Sequence, residues 1–336
     1  MKLVSIVILN WNGKDYLRQC ITSGLEQTYH PIELFVIDNA SSDGSVEWLQ
    51  QNFPSLSVIR NEKNLGFAAA INQGIRLSRG DYVMPLNFDV IMTRTFVEEL
   101  VKVAERDTRT GSVSGKLLRF ASPEENRSYI DSAGHIIYRN RLVVNRGESE
   151  IDFGQYDQEE EVFGACGAAP LYCREMLEDI KIGGEYYDEN FFAYWEDIDL
   201  DWRARLRNWK SLYTPRAVAY HQRGGPSLRR SSIVELHNYK NRYLVILKND
   251  KLCSFLKASP QILFTEILKA GAILTRCPSA LVKGWILLIR LLPQTLKKRK
   301  EIQGRRLVSQ TEIEKWFYKF DYPKWIRRHL LNRGLG

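Results

Sequence analysis

The chain opens on a short β-branched run, Leu3 to Leu9, that stops at Asn10, Trp11, Asn12 and Gly13, a pattern that predicts a buried strand followed by a turn. The apolar positions that follow predict a helix from Asp15 to Gln27, a strand over Glu33 to Ile37 and a helix over Ser45 to Asn52. They continue with a strand over Ser57 to Arg60, a helix over Phe67 to Ser78 and a strand over Tyr82 to Leu86. Strands alternating with helices predict an α/β fold with a mostly parallel, doubly wound sheet. In such sheets ligands bind beyond the carboxyl ends of the strands, where Asn10, Asp38 and Asn87 to Asp89 fall. Three polar clusters far apart in sequence are therefore expected to line one crevice.

Past this half the pattern changes. Ser112 to Val144 reads as shorter, mixed elements, and Glu148 to Glu161 as a solvated acidic loop without chemistry. Ile198, Trp202, Leu206 and Trp209 recur at helical spacing, so Ile198 to Trp209 is expected to be an amphipathic helix with Glu196 and Asp197 at its start. Beyond about residue 225 the chain turns apolar and basic. Lys269, Arg276, Pro278, Lys283 and Arg290 break its apolar runs, so none reaches the ~18 uncharged residues of a spanning helix. Leu281, Trp285, Leu288 and Leu292 fall on one helical face, with Lys283, Arg290 and Lys297 on another. That pattern fits a helix lying on an anionic membrane, and it also fits a helix packed on the main body with solvated lysines.

Charge sharpens the division. Residues 1 to 222 carry 24 Lys and Arg against 33 Asp and Glu, whereas residues 223 to 336 carry 24 against 7. The basic third suits a polyanion, either lipid headgroups or nucleic acid, and the acidic part suits a metal-dependent site. The five cysteines show no CxxC spacing, which points away from a zinc site or disulfide framework and towards a reducing compartment. The first residues lack a signal-peptide pattern, so the active part is expected in the cytoplasm.

The polar clusters suggest chemistry with alternatives beside it. Asp38, ending a strand, can accept hydrogen bonds from a ribose or base, and Asp38 and Asp43 equally fit Asx turns capping the next helix. Gly66 and the small residues after it permit close approach to a ligand or close packing of a helix. No GxGxxG follows the first strand, which argues against a nicotinamide or flavin dinucleotide enzyme. Asn87 and Asp89 offer hard oxygen donors for a magnesium or manganese ion, or a strand end and helix cap. Asp197 is either a base for an acceptor hydroxyl or an N-cap, and His221 either a metal ligand or an ordinary strand-end histidine.

The segments VSIVILNWNG, VIDNASSDGS, NLGFAAAINQG, LNFDV, FGACGAAPLYCREM, FFAYWEDIDLDWR and AVAYHQRGGPS, in this order over most of residues 3 to 227, resemble family 2 glycosyltransferases of the GT-A fold, especially the rhamnosyltransferase-like branch. The resemblance implies an inverting transfer from a nucleotide-diphosphate sugar, with dTDP-rhamnose the first candidate, assisted by a divalent cation (Mn2+ or Mg2+). It implies that Asp38 contacts the nucleotide, that Asn87 and Asp89 stand at the DXD position, with Asn87 departing from a strict aspartate, that Asp197 is the general base and that His221 completes the metal or diphosphate site. The full candidate set is Asp197 and Glu196 as catalytic residues, Asn10, Asn12, Asp38, Asn64, Gly66, Asn72 and Asn87 for the donor, Asp89 and His221 for the metal, and Trp195 and Gly167 for the acceptor. The expected organisation is a GT-A catalytic domain over 1–225 and a helical, basic, membrane-associating region over 226–336. The expected partners are a nucleotide sugar, a glycan or polyprenyl-linked acceptor and an anionic membrane surface, without nucleic acid. A non-catalytic nucleotide-sugar or polyanion-binding protein that kept the fold is the competing reading.

Overall fold

A computed structural model describes residues 1–120, 127–223, 232–274 and 277–323. The first half alternates as expected: β1 (Val4–Asn10), α1 (Lys14–Leu25), β2 (Ile32–Asp38), α2 (Ser45–Asn52), β3 (Ser57–Arg60), α3 (Phe67–Leu77) and β4 (Tyr82–Asn87). Then come β5 (Val90–Met92), α4 (Phe96–Ala104), β6 (Thr110–Arg119), β7 (Ile130–Ser132), β8 (His135–Tyr138), β9 (Val143–Asn145), β10 (Glu160–Glu161) and β11 (Leu171–Cys173). The chain continues through α5 (Arg174–Asp179), α6 (Glu196–Leu206), β12 (Lys210–His221), α7 (Ser232–Asn249), α8 (Leu252–Leu274), α9 (Pro278–Gly304), α10 (Gln310–Glu314) and β13 (Phe317–Tyr318).

The main sheet runs β10-β12-β6-β11-β4-β1-β2-β3, with β5 on β12 and β7 on β6. β1 to β4 are parallel, β11 runs against both β4 and β6, and β12 runs parallel to β6. The carboxyl ends of β1, β2, β4, β6 and β12 thus share one edge. Alternation within the strands covers both faces. Val4, Ile6 and Ile8 pack with α1 and α4 residues such as Leu17, Ile21, Phe96 and Leu100, while Val7 and Leu9 pack with Ile71, Ile75 and Leu200 on the other face. Gly74 explains the closeness of α3: a methyl group there would sit 2.3 Å from Val7 Cγ1.

Three expectations from the pattern need correction. The stretch from Ser112 includes not a short element but the ten-residue β6, central in the sheet. The acidic run is no free loop. Lys116 pairs with Asp152 at 3.1 Å and Asp157 at 2.5 Å, Arg146 pairs with Glu160 and Arg205 with Glu161, and β10 joins the sheet. Nor is α6 amphipathic: nearly every residue from Glu196 to Leu206 is buried, because α7, α9, α10 and β13 cover its outer side. That cover is a third layer, in which Trp202, Leu206, Leu244, Val245, Leu288, Ile302 and Phe317 form one apolar cluster. Within α9, Leu281 and Leu288 are buried whereas Trp285 and Leu292 are exposed, so its apolar residues divide between the protein and solvent. The boundary expected at 225/226 and the GGPS end of the last motif lie outside the described residues.

Candidate active site

Loops at the carboxyl edge are built by their own amides and hydroxyls. Asn10 Nδ2 donates to Asp38 Oδ1 (2.8 Å), Ser41 Oγ (3.0 Å) and Ser45 Oγ (2.9 Å), and Asn10 Oδ1 accepts from Gly13 N (3.1 Å). Asp38 is 0% exposed and also accepts from Ser41 N at 3.1 Å, so its carboxylate shapes the β1 and β2 loops as it stands. Asn12 accepts from Ser42 N (2.7 Å). Asn39, which the sequence reading did not single out, clasps the next loop, donating to Asn64 Oδ1 (2.9 Å) and accepting from Leu65 N (3.0 Å). Gly66 has φ of +82°, and a methyl group there would lie 2.6 Å from the Phe192 carbonyl oxygen. Asn72, expected at the donor, is instead spent inside the protein: its amide bonds Tyr187 O, Tyr187 N and Glu189, because its face of α3 packs on that loop.

The next cluster forms where β5 pairs with β12. That register sets His221 opposite Val90 and brings His221 Nε2 to 3.4 Å from Asp89 Oδ1. His221 Nδ1 lies 2.8 Å from Asp131 of β7, which also binds Arg223. Burial disfavours the His221 charge, but Asp131 and Asp89 outweigh it and raise the ring to about 10. Burial likewise pushes Asp131 up, and His221 and Arg223 more than offset it, holding the carboxyl below the usual range. Asp131, in the short strand Ile130-Asp131-Ser132, escaped the sequence reading because its partners lie about 90 residues downstream.

A divalent cation fits this pair in one specific sense. Among the described residues no three or more His, Cys, Asp and Glu side chains converge as a cage. Asp89 offers one donor and His221 an adjacent second once a cation displaces the ring proton held between Asp89 and Asp131, and the carboxylate behind His221 is the usual orienting partner of a ligating imidazole. Such a partial set suits an ion that takes its remaining oxygens from a diphosphate.

The third cluster reaches the same edge through one peptide. Asn87 N donates to Ala168 O at 3.0 Å, and Gly167 N donates to Asp197 Oδ2, also at 3.0 Å, so Gly167–Ala168 ties the end of β4 to the head of α6. Asp197 Oδ1 accepts from Ile198 N (2.8 Å), and its side chain is 17% exposed. Glu196 differs: burial first, then the charge of Asp197, raises its carboxyl well above the usual value, and Oε2 has no partner. Asp197 and Asp201, four apart on α6, both face the buried His135, whose Nδ1 lies 2.9 Å from Asp201 and whose Nε2 lies 3.6 Å from Asp197. Burial opposes the His135 charge, yet Asp201, Cys166 and Asp197 raise it well above its ordinary value.

Trp195 corrects another expectation. It is only 9% exposed, sits in the apolar cluster of α6 and donates to Asn238 (3.1 Å), whereas the neighbouring Tyr194 is 40% exposed and is the aromatic face offered to solvent. Phe192, Tyr194 and Trp195 have φ of 65°, 70° and 72°. Non-glycine residues there cost on the order of 1–3 kcal/mol each and persist only where the surroundings hold them.

The model for Glycosyl transferase family 2 matches residues 5–181. An N-acetylglucosaminyl-diphospho-decaprenol L-rhamnosyltransferase of Mycobacterium tuberculosis is 23% identical over 261 residues, covering 73% of this chain and 84% of its own length. A poly-beta-1,6-N-acetyl-D-glucosamine synthase of Staphylococcus aureus is 25% identical over 221 residues, 65% of this chain and 49% of that protein. Among solved structures, a mannosyltransferase from Pyrobaculum calidifontis with GDP-Man and Mn2+ matches at a TM-score of 0.52 and 17% identity, covering 90% and 86% of the two chains. GalNAc-T7 with UDP, GalNAc and Mn2+ matches at 0.57 and 15% identity, over 74% of this chain and about half (48%) of that one. The fold is therefore that of the GT-A glycosyltransferases.

Proposed function

Since the chain belongs to glycosyl transferase family 2 and is a glycosyltransferase, we propose that it moves a sugar, with inversion, from a nucleotide-diphosphate donor to a hydroxyl of a lipid-linked or cell-envelope glycan. The observation that carries this reading is the placement of Asp197. Its carboxylate is held by two backbone N–H groups, reaches solvent, and is tied through Gly167–Ala168 to the strand end that carries Asn87 and Asp89. In that position Asp197 takes the proton of an acceptor hydroxyl as its oxygen attacks the anomeric carbon, and a single displacement inverts the configuration.

Asp89 and His221 are the residues that would hold a divalent cation, and the ion would neutralise charge on the departing nucleotide diphosphate. Asn10, Asn12, Asn64, Gly66 and Asp38 shape the loops that receive the nucleotide. The rhamnosyltransferase similarity supports dTDP-rhamnose as the first donor to test, ahead of UDP-linked hexoses or galactofuranose. Asp197→Asn is expected to abolish transfer while leaving calorimetric binding of the nucleotide nearly intact; transfer at the wild-type rate would refute the assignment. Asp89→Ala is expected to lose Mn2+-dependent donor binding.

The acceptor class has its own support. Leu263, Phe264, Ile267, Val282, Trp285, Ile286 and Ile289 on α8 and α9 are exposed, in the strongly basic third of the chain. No helix of the described residues is long and apolar enough to cross a membrane. Apolar side chains flanked by lysine and arginine suit residence at an anionic bilayer surface, as a peripheral protein at the inner face of the cell membrane. Flotation with anionic but not neutral liposomes is the expected result.

A further inference from the structure

We infer that Asn241, on the first helix of the carboxyl-terminal region, is a positioning residue for transfer: it fixes the strained segment that presents Asp197. The inference rests on Asp197 being the base proposed above, but its structural half does not. Fully buried on α7, Asn241 directs one amide nitrogen at three backbone oxygens, Phe191 O (3.0 Å), Ala193 O (2.8 Å) and Tyr194 O (2.7 Å). An amide NH2 has two hydrogens, so three acceptors crowd one donor. Those carbonyls belong to the segment whose left-handed φ values at Phe192, Tyr194 and Trp195 lead directly into Glu196 and Asp197. Carbonyls turned inward by that path lack partners from a helix or strand, and Asn241 supplies them.

Its neighbours on α7 grip the same segment. Asn238 accepts from Trp195 Nε1 (3.1 Å), Lys240 donates to Asn190 O (2.6 Å), and the His237 ring stacks on Phe192 at 5.1 Å. On its inner side the segment meets the donor loop, since Ala68 N donates to Phe192 O (3.1 Å) and Gly66 packs on Phe192. The stretch from Phe191 to Trp195 is thus clamped between the donor loop and α7, and Asp197 follows from its far end. The carboxyl-terminal region does more than carry an apolar surface: one of its helices completes the geometry of the reacting carboxylate. A shift of ~1 Å in such a group costs on the order of a hundredfold in rate.

The test uses the full chain with Asn241→Leu, which keeps the volume and removes the donors. Transfer is measured with whichever of dTDP-rhamnose, UDP-glucose, UDP-galactofuranose and GDP-mannose the wild type turns over. Transfer kcat is expected to fall at least about tenfold, with donor KM within about twofold, the signature of an interaction felt at the transition state. Amide hydrogen exchange over residues 190–198 should quicken while β1 to β4 stay protected. Asn238→Ala, at a partly exposed site, should give the same split with a smaller loss. Unchanged exchange over 190–198 overturns the clamp, whatever the donor. Quickened exchange with unchanged kcat overturns the positioning role, and equal loss of kcat, donor binding and sheet protection reduces Asn241 to general stability. Failure of the Asp197 assignment reads out separately, as an active Asp197→Asn.

Discussion

Lys248→Met tests whether the carboxyl-terminal helices and the catalytic sheet share one folding unit. Lys248 is 0% exposed at the end of α7 and lies against two buried carboxylates, Asp188 and, at 3.0 Å, Asp199. Removing one partner of a buried ion pair costs about 3–5 kcal/mol, because the remaining charge is stranded. Here neither carboxylate is left alone. Asp188 keeps Lys298 (2.7 Å) and Asn190 N (3.0 Å), and Asp199 keeps Arg203 (2.9 Å) and Asn249 (2.8 Å). The lower figure, about 3 kcal/mol, is therefore expected, which for a chain of this size lowers Tm by about 4 °C. Circular dichroism melts of full-length protein measure it, with Asp199→Asn in the same background expected to add to the loss, since buried Arg203 then loses its carboxylate. The pH dependence has a definite sign. Burial pushes the Asp188 carboxyl up, but Lys248 and Lys298 outweigh it and hold it well below its ordinary value of 3.8. Stability from a depressed carboxyl is present above that ordinary value and lost as pH falls beneath it, so the gap between wild type and variant should narrow in acid. A Tm within about 1 °C of wild type at neutral pH, or a gap that widens in acid, refutes the reasoning.

Three further outcomes follow from the site. In Glu196→Gln the amide cannot ionise: because burial raises the folded carboxyl of the wild type, wild-type stability falls relative to the variant as pH climbs above the ordinary 4.5, and melts from pH 4 to 8 should show the variant gaining. In Gly167→Ala the added methyl would lie 2.9 Å from Asp197 Oδ2. Displacing that carboxylate should cut kcat roughly ten- to a hundredfold with nucleotide binding retained by calorimetry. Asp131→Asn leaves His221 without its orienting carboxylate and should weaken Mn2+-dependent nucleotide binding by roughly ten- to a hundredfold in a calorimetric titration.

What the sequence disclosed follows the range of the interactions involved. α2 and β3 matched their expected bounds, and β1, β2 and β4 came within a residue or so, because alternation and turn residues are local signals. The strand ends then located Asn10, Asp38, Asn87 and Asp89 without further knowledge. Asp131, His135 and Asn241 were invisible because each acts on residues 47 to 90 positions away. Trp195 and α6 were misread for a related reason. A helical repeat predicts a buried face and an exposed one, and only the later packing of α7, α9 and α10 closes the second. Asn72 shows the opposite error, a motif residue whose polar atoms the fold consumes.

The reversed direction of β11 has a consequence for how the site can vary. A parallel strand would deliver to the crevice whatever follows it; β11, running the other way, delivers what precedes it, the stretch from Phe163 to Pro170. The crevice is thus assembled from two independent sources of chain, outgoing ends of β1, β2 and β4 on one side and an incoming loop on the Asp197 side. Changes in length or composition before Leu171 can reshape the wall beside Asp197 while the ends of β1, β2 and β4 keep their register.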